Sequence, residues 1–227
     1  MWDFFLPHVE AYDASVWTMP GFVPDSMPQD GVRIAPPCID PLSVKNLDLP
    51  DPFVTEICKQ YGIDTDRPMM VQVSRFDPWK DPLGVLEAYR IVREEIPDLQ
   101  LVLAGSMATD DPEGFHVWET VDAARAGDRD VHLLSNIQQV GNVQINAFQR
   151  AGDVVVQKSL REGFGLTVAE ALWKGRPVLG GDVGGIVRQI RDGVDGFLVS
   201  SVEQTAARAL ELLRDPVRAD TMGANGR

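Results

Sequence analysis

Residues 69–97, MMVQVSRFDPWKDPLGVLEAYRIVREEIP, decide the fold. An apolar run, Met69–Ser74, is followed by a polar loop and then by Val85, Leu86, Tyr89 and Val92 at helical spacing. Asp81-Pro82 is a cap followed by proline at the first helical position, where the missing N–H has no intrahelical partner anyway, and Pro97 stops the segment. Outward from it the same unit repeats, with strands expected at Leu99–Ala104, Val131–Leu134, Asp153–Gln157, Pro177–Gly180 and Gly196–Val199. Ser201-Val202-Glu203-Gln204 reads as a capping box opening a helix with Val202, Ala206, Ala209, Leu210 and Leu213 on one face. Strands alternating with amphipathic helices specify an α/β fold, a doubly wound parallel sheet. The chain is expected to end directly after a helix, with no final element packing back.

On the amino side, nine of the 16 prolines fall within the first 52 residues, so long regular elements are not expected there. Short pieces are expected instead: a helix at 2–11 and strands at Ser15–Met19 and Val32–Ala35. Residues 1–48 read as the tail of a preceding domain with a linker, and residues 49–227 as the ligand-binding domain. Trp2, Phe4, Phe5 and Trp17 in the connector are expected to be sticky enough to support a homodimer.

The chain is 44% hydrophobic and 24% charged, and no run approaches the ~20 apolar residues of a membrane helix, so a soluble protein is expected. The first residues show no secretory pattern, which makes the cytoplasm the expected compartment. A net charge of -13 argues against nucleic acid and anionic membrane as partners. Cys38 and Cys58 have neither metal-knuckle nor disulfide spacing.

A doubly wound sheet binds its ligand outside the carboxyl ends of the strands, where strand order reverses. Three loops therefore carry the functional reading: Arg75–Asp81, Ser135–Gly141 and Lys158–Leu166. The last runs through Arg161-Glu162-Gly163-Phe164-Gly165-Leu166-Thr167 into a helix carrying Glu170. Backbone N–H groups at Gly165, Leu166 and Thr167 would point outward with the positive end of the helix dipole, which suits a diphosphate. Glu170 shares the face of Leu166 and Thr167, and its carboxylate there suits the hydroxyls of a ribose. Taken alone, the two glycines read equally as a structural turn. A dinucleotide fingerprint competes, since Asp182 follows Gly163 at about the right offset, but Val168 stands at the third glycine position and the motif is not on the first strand. Arg75 and Lys80 are the expected anion clamp, the alternative being surface salt bridges to Asp77 or Asp81. No tightly held metal is expected; Asp110-Asp111 could touch magnesium or cap the helix before Pro112.

Arg75 with Lys80, followed by Glu162 and Glu170 with seven residues between them, resemble the donor site of retaining glycosyltransferases of the two-domain GT-B fold, family four, from Met69 onward. The resemblance implies a Rossmann-like carboxy-terminal domain. It also implies that Arg75 and Lys80 neutralise a leaving diphosphate, and that Glu162 contacts the transferred sugar beside the Gly163-Phe164-Gly165 loop. Glu170 would then hold the ribose, and the loop with Asn136 and Ile137 would meet the base. Pro36–Ser43, Gln72–Lys80, Met107–Gly114 and Asn146–Gly175 look more specifically like the trehalose-forming synthases of that family. Trehalose phosphorylases are similar in the first three stretches but usually carry a charged or bulky residue where this chain has Gly165. The synthase resemblance implies nucleoside-diphosphate glucose and glucose as substrates and trehalose as product. It implies no tightly bound cofactor, with magnesium accompanying the diphosphate. Two other readings stay open, a phosphorylase using inorganic phosphate and a non-catalytic nucleotide-sugar-binding module. The domain that would hold the acceptor is absent from these residues, so the chain alone is expected to bind donor and transfer poorly.

Overall fold

The computed structural model describes residues 2–107 and 112–227. The chain divides into two compact units, Met1–Ile39 and Asp40–Arg227, so residues 40–48 go with the larger one. The small unit holds helix α1 (Trp2–Val9) and two short parallel strands, β1 (Ser15–Trp17) and β2 (Val32–Ile34), with Ser15 opposite Val32 and Trp17 opposite Ile34. Each is shorter than periodicity suggests. Pro7 sits inside the helix two residues before it ends, and Met19 is the extended cap of a single 3₁₀ turn, Pro20–Phe22. Trp2 packs against Phe5 and Trp17, with ring centroids 6.2 and 5.3 Å away.

The large unit opens with α2 (Asp51–Gln60), which the proline count hid. Pro50 is its N-cap and Pro52 lies in its first turn, where proline starts a helix rather than breaking one. Then follow β3 (Met69–Val73), α3 (Pro82–Glu95), β4 (Gln100–Gly105), α4 (Pro112–Arg125), β5 (Val131–Ser135), α5 (Asn142–Ala151) and β6 (Val154–Gln157). The chain continues through α6 (Leu166–Trp173), β7 (Val178–Gly181), β8 (Gly196–Val199), α7 (Val202–Arg214) and α8 (Pro216–Gly226). The six expected strands are present, with ends differing by at most a residue. Two sequence expectations fail here. α8 packs back on α6 and α7, burying Ala219 and Met222 in the core with Phe197 and Leu212. At α7, Ser201 Oγ does accept from Gln204 N–H at 3.1 Å, but the side-chain Oε1 of Gln204 accepts from Ser200 N–H at 2.9 Å, so the box is offset by one residue.

The sheet is parallel throughout, in the order β5-β4-β3-β6-β7-β8. The chain winds outward from β3 to β5, returns to the centre at β6, and winds outward again, so order reverses between β3 and β6. Both faces are covered, as a parallel sheet requires. Met70, Leu101, Leu103, Val154 and Val156 pack under α3 and α7, whereas Met69, Val71, Val73, Val102 and Ala104 pack under α2 and α5. Val155 and Val178 lie under α6 with Val168 and Ile186.

Candidate active site

The loops that leave β3 and β6 lie side by side at the reversal point, where this fold class binds its ligands. Leu160 N–H donates to the Trp79 carbonyl at 2.8 Å, and the Arg161 guanidinium lies over the Trp79 ring at 4.2 Å. Two ion pairs cross between the loops, Lys80 with Glu162 and Lys158 with Asp81. Lys80 is also held from below, because the buried Gln72 amide donates to its carbonyl at 2.7 Å. Asp81 adopts a left-handed backbone (φ 49°) while its side chain accepts from Gly84 N–H at 3.1 Å and caps α3. The chain thereby turns straight from Lys80 into the helix.

Arg75 differs from Lys80. It lies at the carboxyl end of β3 with 64% of its side chain exposed, and its partner is Asp77 at 3.3 Å, the salt-bridge alternative of the sequence reading. For Lys80 that alternative fails, since its partner is Glu162 across the loops rather than Asp77 or Asp81. Glu162 also takes Ser159 Oγ at 3.3 Å and Gly163 N–H at 3.1 Å.

Gly165 adopts φ 87° and opens α6, offering no side chain to cap the N–H groups of the first turn, where Leu166 and Thr167 lie. The Gln189 amide donates to the Phe164 carbonyl and to that of Gly165 at 3.3 Å, which fixes the loop from the β7 side. Glu170 is buried, and its Oε2 pairs with Lys45 Nζ at 2.8 Å. One turn on, Lys174 is buried with its amine donating to Asn46, Gln149 and the Glu170 carbonyl at 3.0, 2.8 and 3.3 Å. Burial pushes that amine down to about 7, opposed by the charge of Glu170.

Lys45, Arg75 and Thr167 share a cavity of about 240 Å³ with Ser74, Gly105 and Ser106 at the carboxyl ends of β3 and β4. Asn136 and Ile137 follow β5. The Asn136 side chain is committed to Met107, accepting from its N–H at 2.7 Å and donating to its carbonyl at 3.1 Å, while Ile137 is 59% exposed. Among the described residues no three His, Cys, Asp or Glu gather as metal ligands, and Asp110-Asp111 lie outside them. No helix among the described residues is long and apolar enough to cross a membrane.

The structure thus gathers Lys80, Glu162 and the glycine loop tightly, sets Arg75 and Glu170 beside them, and leaves Asn136 and Ile137 on the next loop. Sequence reasoning missed Lys45, Gln72 and Gln189, and read Lys158 only as part of the loop. The one available signal was a polar residue set in or directly after an apolar strand, Gln72 inside β3 and Lys158 just past β6.

Residues 53–227 match the family of glycosyl transferases group 1, and the chain belongs to that family. The chain is 50% identical over 226 residues to the trehalose synthase of Rubrobacter xylanophilus, a match covering 99% of this chain and 54% of that protein. A trehalose phosphorylase of Pleurotus sajor-caju is 32% identical over 154 residues, 62% of this chain and 20% of that one. In fold the chain is similar to Anabaena HepE, solved in complex with UDP and glucose, with a TM-score of 0.79 at 16% identity, over 99% of this chain and 60% of that one. The chain spans about half the length of the curated synthase it matches.

Proposed function

We propose that this chain is the donor-binding half of a retaining hexosyltransferase that moves glucose from a nucleoside-diphosphate glucose to the anomeric hydroxyl of free glucose, forming trehalose. The observation that carries the reading is the 50% identity to a trehalose synthase along essentially the whole chain. The ion-paired Lys80 and Glu162 beside an uncapped helix amino end support it, since together they offer cations, N–H donors and an acceptor within one site. In this reading Arg75 and Lys80 take the leaving diphosphate, and Gly163, Phe164, Gly165, Leu166 and Thr167 line it. Glu162 takes the transferred sugar, Glu170 the ribose, and Asn136 and Ile137 the base. Magnesium would travel with the diphosphate.

The step is written as a front-face displacement. The bond from C1 to the diphosphate oxygen breaks, the bond from C1 to the acceptor oxygen forms on the same face, and the acceptor proton passes to the departing diphosphate. Lys80 and the amino end of α6 oppose the negative charge that grows there, without a protein nucleophile. The similarity to a phosphorylase favours a second reading, in which inorganic phosphate uses the same cations. Titration with ADP-, UDP- and GDP-glucose separates the two. Saturable binding of one of them is expected, whereas silence toward all three, with phosphate-dependent trehalose cleavage by the complete enzyme, would establish the phosphorylase.

A further inference from the structure

We propose that Lys45 is a positioning residue of the donor site, fixing the carboxylate of Glu170 for the ribose hydroxyls of a nucleoside diphosphate. The inference deepens the function proposed above and rests on it. Lys45 belongs to no motif and lies in the irregular segment before α2, yet the backbone on both sides of it is fastened to the helices under the site. Asn146 Nδ2 donates to the carbonyls of Val44 and Leu47 at 3.0 and 2.8 Å. Arg150 donates to the carbonyls of Asn46 and Leu47 at 3.2 and 2.9 Å and to the Asp48 carboxylate at 2.9 Å. Trp173 Nε1 reaches the Asn46 carbonyl at 3.3 Å. Asn46, itself buried, accepts from Lys174 at 3.0 Å, and Lys174 is one helical turn beyond Glu170.

Residue 45 is therefore immobilised relative to α6, and from that anchor its amine meets Glu170 Oε2 at 2.8 Å. A pair between freely moving surface chains is worth little. This one differs in two respects. The Glu170 side chain is only 7% exposed, so its charge needs a partner, and the Lys45 backbone no longer has freedom to lose. An ion pair on one oxygen draws that oxygen toward Lys45 and leaves the other to accept from a hydroxyl. Lys45 also lines the cavity shared by Arg75 and Thr167, with Glu170 buried behind it one turn along α6 from Thr167.

The test is equilibrium titration of this chain with UDP, ADP and GDP and with their 2′,3′-dideoxy forms. Lys45→Met is expected to weaken the tightest nucleoside diphosphate about tenfold, the cost of disturbing one hydrogen bond to a charged group. Lys45→Arg should recover most of that loss, and the effect of Lys45→Met should vanish against the dideoxy analogue. Lys45→Met combined with Glu170→Gln should bind no more weakly than Glu170→Gln alone. Should Lys45→Met lower the thermal midpoint, Lys45→Gln gives the same comparison. Affinity equal to that of the unaltered chain, or an equal loss against the dideoxy analogue, overturns the proposal and leaves the donor-site reading standing. An unaltered chain that binds no nucleoside diphosphate overturns both.

Discussion

Lys80 and Glu162 stand 82 residues apart in the chain and share one ion pair, with Ser159 and Gly163 completing the shell of the carboxylate. Removing the amine leaves Glu162 its neutral donors, so the fold should survive while the charge opposing the diphosphate is lost. In the complete enzyme Lys80→Ala is expected to lower kcat about a hundredfold, the loss typical of one well-aimed donor, with a smaller change in KM. Steady-state kinetics with nucleoside-diphosphate glucose measure this, and an unchanged kcat would remove Lys80 from the site. Lys174 gives a prediction about pH. Its amine titrates near 7 in the folded chain and near 10.5 unfolded, so between those values the unfolded chain binds more protons. Stability should therefore rise with pH across that window, by on the order of 4 kcal/mol. Denaturant midpoints at pH 7 and pH 10, compared with those of Lys174→Met, isolate the contribution; an equal rise in both would refute it.

The turn after β7 supports the glycine loop from the side. At Gly184 the backbone has φ 51°, and a β-carbon there would stand 1.7 Å from the Glu162 carbonyl, so the contact tolerates glycine alone. Gly193 has φ 76° with nothing within 4 Å. Gly193→Ala should cost about 1 kcal/mol for backbone strain, whereas Gly184→Ala adds a clash and should cost about 2–3 kcal/mol. Thermal unfolding of the two variants checks the difference, and in titration with nucleoside-diphosphate glucose only Gly184→Ala, which displaces Glu162, should weaken binding. Elements of this kind were unevenly legible in the chain. The strands and α3 follow from apolar period and from Asp81-Pro82, both local signals. α2 was hidden because its prolines look like breakers until their place in the first turn is known, and α8 because its apolar face is sparse until Phe197 and Leu212 supply the partner.

Across the whole molecule, function depends on a strand order that brings β6 back beside β3. The large unit carries one wall of the proposed site, and the chain covers 54% of the synthase it resembles. These 227 residues alone are expected to bind nucleoside-diphosphate glucose yet form trehalose at least a hundredfold more slowly than the complete enzyme, as product assays on both would measure. Comparable rates would show that the second wall is dispensable. Fold class and strand placement could be read from the chain, and Arg75, Lys80, Glu162 and Glu170 singled out as candidates, because hydrophobic period, helix caps and paired glycines act between near neighbours. The partners of those residues could not. Lys80 meets Glu162 rather than Asp77 or Asp81, and Glu170 meets Lys45, because an ion pair is chosen by which side chains the packed sheet and its crossovers bring within reach, and no local pattern encodes that distance.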